Sequence, residues 1–163
     1  MTTNTAPSPR SLLVLLSYHH KNTEKVANVF AKVLDAPIRM PQELVPEEIG
    51  GYDLVGFGSG IYDGMHHKGL LEFADKLPEA NGKKAFLFST SAIVGEDKVA
   101  KDHAALREKL RSKGYDIVDE FACKGFNTNS FLKLFGGINK GRPNAEDLES
   151  AKRFAIRMRG DVA

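Results

Sequence analysis

Three short segments concentrate side chains able to hold an anion or a polar ring. Ser17-Tyr18-His19-His20-Lys21-Asn22-Thr23 brings Ser and Thr hydroxyls, two imidazoles, an amide and an ammonium into one stretch. Ser59-Gly60-Ile61-Tyr62-Asp63-Gly64 mixes small residues with one aromatic, and Ser89-Thr90-Ser91 is a run of hydroxyls. Each follows an apolar run. The first opens a helical pattern, so its amides would stand at a helix N-terminus, where unsatisfied N–H groups and the helix dipole favour an anion. Ser17, Lys21, Asn22 and Thr23 can all donate to phosphate oxygens. The stretch lacks the G-x-x-x-x-G-K-[ST] spacing, so it is not a Walker loop. An ordinary helix cap at Thr23, with His19 and His20 solvated, explains the same residues. The side chains alone leave both readings open.

Other reactive side chains read as structural. His66-His67 together with His19-His20 raises a metal site. Adjacent loop histidines rarely meet at one ion, however, and no carboxylate or thiolate accompanies them, so no metal is expected. His103 falls on an apolar helical stripe and is expected in the core or at its boundary. Cys123, the single cysteine, excludes an internal disulfide framework and suits a reducing cytoplasm. It is expected to serve as a small buried hydrophobe.

The elements that must position these segments follow from hydrophobic periodicity. Leu12 to Leu16 is continuously apolar, as in a strand covered on both faces. Val26, Val29, Phe30 and Val33 mark one face of a helix from about Thr23, which Asp35-Ala36-Pro37 ends. A short strand is expected around Ile38 to Met40, and a third over Asp53 to Gly58. A glycine-rich loop from Ser59 to His67 then leads to a helix bearing Leu70, Phe73, Ala74 and Leu77. Lys84 to Ser89 reads as the fourth strand and Thr90 to Asp97 as a loop. One helix carries Val99, His103, Leu106 and Leu110, stopping at Lys113-Gly114. Ile117 to Cys123 is the fifth strand. Asn144 is expected to cap the last helix, which buries Leu148, Ala151, Ala155 and Met158.

Alternating strands and helices predict an α/β fold: a doubly wound, five-stranded parallel sheet of order 2-1-3-4-5 with helices on both faces. Its ligands bind outside the carboxyl ends of the strands, where strand order reverses. That point brings the first two polar segments together. The length of 163 residues suits one core. Residues 1–10, polar and with two prolines, are expected to be a disordered tail before a domain over 11–160. A net charge of +2 gives no electrostatic case for nucleic acid. No apolar run approaches the roughly 20 residues of a transmembrane segment.

Ser17 to Ala27 resembles the phosphate loop of the flavodoxin family, S/T-x-T-G-N-T-E-x-x-A, with Asn22-Thr23-Glu24 matching and Lys21 standing where that family usually has glycine. Tyr52 to Tyr62 is similar to its third strand and G-S-x-I-Y turn. Lys83 to Thr90 resembles its fourth strand, and Lys140 to Leu148 its approach to the last helix. The resemblance implies a flavodoxin-like, FMN-binding electron carrier that serves redox partner proteins. The expected FMN contacts are Ser17, His19, His20, Lys21, Asn22, Thr23, Ser59, Gly60, Ile61, Tyr62, Asp63, Gly64, Ser89, Thr90 and Ser91. Tyr62 would stack on the ring. The Asp63-Gly64 peptide would reorient as the flavin takes an electron.

Two other functions remain in view. Ile61 to His67 is similar to a stretch of the quinone-dependent protoporphyrinogen oxidases, which implies a flavin-dependent oxidoreductase using a quinone or another small-molecule acceptor. Lys124 to Arg142, with Phe126, Phe131, Leu132, Leu134 and Phe135, would then be a counterpart of their helical insertion. A binding module without flavin is a third possibility. A phosphate-accepting receiver domain would need acidic residues where Ser17 to His20 stand, and is set aside. Family members are strongly acidic, whereas this chain places Lys21 and four histidines near the pocket loops. A less negative reduction potential than theirs is therefore expected of the bound flavin. A redox titration checks this, and a potential as low as theirs overturns it.

Overall fold

A computed structural model describes residues 9–18, 21–125 and 139–162. Its centre is β1 (Ser11–Leu16), buried along its whole length. β1 pairs in parallel with β2 (Ile38–Arg39) on one side and β3 (Leu54–Tyr62) on the other. β5 (Lys84–Ser91) and β6 (Asp116–Lys124) continue the parallel sheet, giving the order β2-β1-β3-β5-β6. This is the 2-1-3-4-5 order expected from the sequence, with one addition. A short β4 (Met65–His66) folds back antiparallel on β3, pairing Ile61 with His66 and Tyr62 with Met65.

That addition corrects the loop expected from Ser59 to His67. The ladder to β5 continues through Ser59↔Ser89 and Gly60↔Thr90, so β3 runs on to Tyr62. Asp63 and Gly64 then both take positive φ, 51° and 74°. Two such residues make the turn whose twist matches a two-residue hairpin, and Asp-Gly is a favoured pair for it. The strands also overrun their expected ends at Ser91 and Lys124.

The helices cover both faces. α2 (Lys68–Asp75) and α4 (Ala104–Ser112) pack Leu70, Phe73, Leu106 and Leu110 against Leu12, Val14, Val55, Phe57 and Leu87. α1 (Asn22–Leu34) and α5 (Ala145–Val162) cover the other face through Val26, Phe30, Ala151, Phe154, Ala155 and Met158. Val29 and Val33 are half-buried flanks of α1, and Leu34 takes the inward position. α1 ends at Asp35, whose left-handed backbone lets Ala36 N–H reach the Ala31 carbonyl at 3.0 Å. Asn144 caps α5 as expected: its side chain accepts from Asp147 N–H at 2.9 Å. The Asp147 carboxylate accepts in return from the Asn144 amide at 2.8 Å and from Arg142.

The single helix expected across Val99 to Leu110 is two. α3 (Glu96–Asp102) and α4 meet at His103, where the imidazole turns fully inward between β5 and β6. Cys123 is buried at the end of β6, and burial pushes its thiol up to about 12.

β3 carries glycine at 56, 58 and 60 on the face toward α1 and α5. The rings of Phe86 and Phe88 lie across the space thus left. A Cβ at Gly58 would sit 2.1 Å from a Phe88 ring carbon, and one at Gly56 2.3 Å from Phe86. Phe30 of α1 closes on both rings edge-on, with centroids 5.6 and 5.1 Å away. Gly58→Ala is expected to cost about 1–3 kcal/mol through overpacking, seen as a lower urea midpoint. Adding Phe88→Leu should restore part of it. An unchanged midpoint in the single variant would show that the ring moves aside freely.

Candidate functional site

The carboxyl ends of β1, β3, β5 and β6 meet the N-terminus of α1. Ser17 is half-buried after β1, and Tyr18 is 51% exposed. Lys21 precedes α1 at φ 53° and ψ 37°, in the left-handed region. Glycine enters that region freely, whereas an L-residue pays about 1–2 kcal/mol. This is the physical meaning of a lysine at the resemblance's glycine position. The first turn of any helix leaves amides without intrahelical acceptors, and the first helical bond here runs from Lys25 N–H to the Lys21 carbonyl. Thr23 and Thr90 share a buried hydroxyl–hydroxyl bond of 2.8 Å, which fixes the start of α1 to the end of β5. The Asn22 side chain lies against Gly125, where a Cβ would come within 2.7 Å of its amide nitrogen. His19 and His20 lie outside the described residues, as do residues 126–138 of the segment Lys124 to Arg142.

On the other side of the site stands the hairpin. Tyr62, Asp63, Gly64 and Met65 are exposed, and Gly60 and Ile61 half-buried. His67 caps α2, its Nδ1 accepting from Gly69 N–H at 2.9 Å. Its ring lies between Tyr18 and Tyr62, with centroids 5.2 and 5.1 Å away. Burial, then Tyr18, raises the Tyr62 hydroxyl above its ordinary value.

The structure does not bring every expected contact to the surface. Ser59 is fully buried; its hydroxyl donates to the Gly60 carbonyl and accepts from His67 N–H. Ser89 is 2% exposed and bonds to His103 Nε2 at 2.7 Å. Thr23 and Thr90 spend their hydroxyls on each other, and Ser91 donates to the Ile93 carbonyl at 2.6 Å. These side chains shape the site. Lys21, Tyr62, Asp63 and Gly64 remain open to a ligand.

Sequence reasoning missed a polar cluster behind the hairpin. His103 Nδ1 donates to Glu120 at 2.9 Å, and Arg107 holds the same carboxylate with two bonds of 2.8 and 2.7 Å. His66, only 1% exposed, bonds through Nε2 to the Phe88 carbonyl at 3.1 Å and rests 4.6 Å from His103. Ser89, His103 and Glu120 have the connectivity of a nucleophile, base and orienter, but burial closes Ser89 to a substrate. The cluster ties α4 to β5 and β6. The available signal was His103 and Arg107 at i, i+4 facing an acidic residue inside a strand. Recognising it requires the strand register.

A cavity of about 560 Å³ opens at the opposite edge of the sheet, beside Arg10, Asp35 and Arg159. Arg10 is bonded to the Gly51 carbonyl and lies 4.8 Å over the Tyr52 ring, and Arg159 donates to the Val33 carbonyl. Its cations are already engaged.

An open parallel sheet with its polar loops at the carboxyl edge defines a doubly wound α/β protein, a fold class whose ligand sites lie at that edge. The chain belongs to the flavodoxin domain family, whose profile matches residues 13–158. A relative from Methanocaldococcus jannaschii, the uncharacterized protein MJ0298, is 48% identical over 146 residues, covering 90% of this chain and 95% of its own. The solved oxidised flavodoxin 2 of Bacillus cereus superposes with a TM-score of 0.72 at 20% identity, covering 93% of this chain and 99% of that one. A flavodoxin from the domain Archaea gives 0.63 at 17%, covering 94% and 98%. No helix among the described residues is long and apolar enough to cross a membrane.

Two groups make the fold acid-sensitive. Burial, then the neighbouring His103, holds His66 at about 3 against an ordinary 6.5. Burial would raise Glu120, but hydrogen bonds from His103 and Arg107 outweigh it and hold it at about 2 against 4.5. In both cases the unfolded chain takes the proton first, so stability falls with pH. The His66 share is lost from 6.5 down to 3 and the Glu120 share from 4.5 down to 2. Urea midpoints should therefore drop steadily below pH 6.5. His66→Gln should flatten the upper part of the curve, and a wild-type midpoint constant from pH 6.5 to 4.5 would refute the assignment.

Proposed function

We propose that the chain is a cytoplasmic, FMN-binding electron carrier. The observation that carries this reading is the meeting, at one sheet edge, of the α1 N-terminus with an exposed Asp63-Gly64 hairpin. The donor set fits the cofactor. Amides of the first α1 turn, the Lys21 ammonium and the Ser17 hydroxyl would hold the phosphate. Tyr62 would lie against the ring, as aromatic faces do. Gly64 has positive φ and open space around its missing Cβ, with Asp102 at 4.0 Å the nearest contact. The backbone there can approach a flat ligand closely.

Bound FMN supplies the electron chemistry. The protein's part is to anchor, orient and shield. Thr23-Thr90 keeps the phosphate end of the site in register with β5. Ser59 pins the base of the hairpin to the start of α2. Exposed Tyr18, Tyr62, Met65 and Ile93 supply apolar surface for a redox partner protein to approach. The enzyme alternative drew on the Ile61 to His67 stretch. In that stretch His66 is turned inward and His67 is spent capping α2, which favours the carrier.

Titrating purified protein with FMN tests the proposal. Quenching of FMN fluorescence is expected, with riboflavin binding at least about tenfold more weakly because it lacks the charged anchor. Equal affinities would remove the phosphate site, and no quenching by either would remove the flavin reading.

A further inference from the structure

Beyond Ile61, the hairpin exposes nearly everything it carries; His66 is its buried side chain. A carbonyl only accepts, so the bond to Phe88 puts the proton of His66 on Nε2 and leaves Nδ1 bare. Nδ1 is buried and has no hydrogen-bond partner among the described residues. The imidazole seats on His103, whose nitrogens are committed to Ser89 and Glu120. The charged groups acting on this ring are Glu120 from β6 and Arg107 from α4; Asp102 of α3, in its 2.5 Å pair with Lys98, stands 4.0 Å from where a Gly64 Cβ would lie. Glu120 is already shared between His103 and Arg107. A proton on Nδ1 would thus be a buried donor without an acceptor, on a ring charged beside a second imidazole and a guanidinium.

We propose that His66 is the latch of the Ile61–His66 hairpin: neutral, it holds the Asp63-Gly64 turn against the Phe88 carbonyl and His103, and on gaining a proton it lets the turn go. Resting on the flavin reading above, the latch is also a positioning residue, because it fixes the turn that a flavin ring would meet. The open hairpin exposes His66 to water, where it takes a proton near its ordinary value. Opening is therefore favoured increasingly as pH falls below that value.

Hydrogen exchange on the protein without flavin tests the latch. Residues 61–66 are followed at pH 7 and pH 5, with β1 as internal reference and intrinsic rates divided out. In the wild type the segment should open on the order of tenfold more at pH 5. His66→Phe keeps the ring but loses the donor, and should open readily at both pH values. His66→Gln can still donate to Phe88 but cannot titrate, and should stay protected at both. Equal wild-type protection at the two pH values, or His66→Phe as protected as wild type, overturns the latch. Should His66→Phe not fold, the contrast between wild type and His66→Gln decides. FMN affinity then tests the positioning half. The ratio of dissociation constants, wild type over His66→Gln, should rise several-fold from pH 7 to pH 5, the phosphate's own titration cancelling. An unchanged ratio with the exchange result intact overturns positioning alone. If neither protein binds FMN, the flavin reading fails while the exchange result still judges the latch.

Discussion

The sheet depends on a trade between two neighbouring strands: β3 gives up side chains at Gly56 and Gly58, and β5 fills the space with Phe86 and Phe88. The two rings and Phe30 form one aromatic floor, extended by Phe121 and Phe154 at 5.5 Å from Phe30. The contacts of Phe30 with Phe86, Phe88 and Phe121 are edge-on, and such contacts add to simple burial. They also fix how α1 lies on the sheet. With α1 so placed, Thr23 reaches Thr90, and the helix start comes to rest over the strand ends. The position of the anion-attracting amides is a downstream result of a steric fit some distance below them.

On the opposite face, polar bonds do the work that aromatic rings do on this one. Past Leu16, Phe57 and Leu87 the apolar layer gives way to Ser59, Ser89, His66 and His103. Each is buried and each is hydrogen-bonded. In a low-dielectric interior such a network is rigid when satisfied and costly when broken. The two faces therefore hold the site differently. The α1 side rests on packing that is indifferent to pH, and the hairpin side rests on imidazoles.

Much of the architecture was legible because it rests on local periodicity. The continuous apolar run at Leu12 to Leu16, the stop at Asp35-Ala36-Pro37 and the cap at Asn144 each carry their own physical signal. The hairpin was missed because Ser59 to Tyr62 looks like a loop in composition, and its strand character comes from pairing with Ser89 and Thr90 across the sheet. The helix break at His103 was missed for a related reason: an i, i+4 stripe cannot show that one of its members bonds to Glu120 on a strand. The three polar segments do lie at the carboxyl edge of the sheet, as strand order alone requires. Which of their hydroxyls point inward could not be read, since Ser59, Ser89 and Thr90 differ from open ones only through their neighbours in space.

Cys123 ends β6 with its thiol pushed up to about 12. At neutral pH it is held as the thiol, and the thiolate is the form that attacks oxidants and disulfides. A more acidic, exposed thiol could instead react with oxidants or cross-link to a second copy. Here the sulfur is buried and kept protonated. A cysteine introduced on the surface would thus be the sole reactive handle for attaching a probe or a tether.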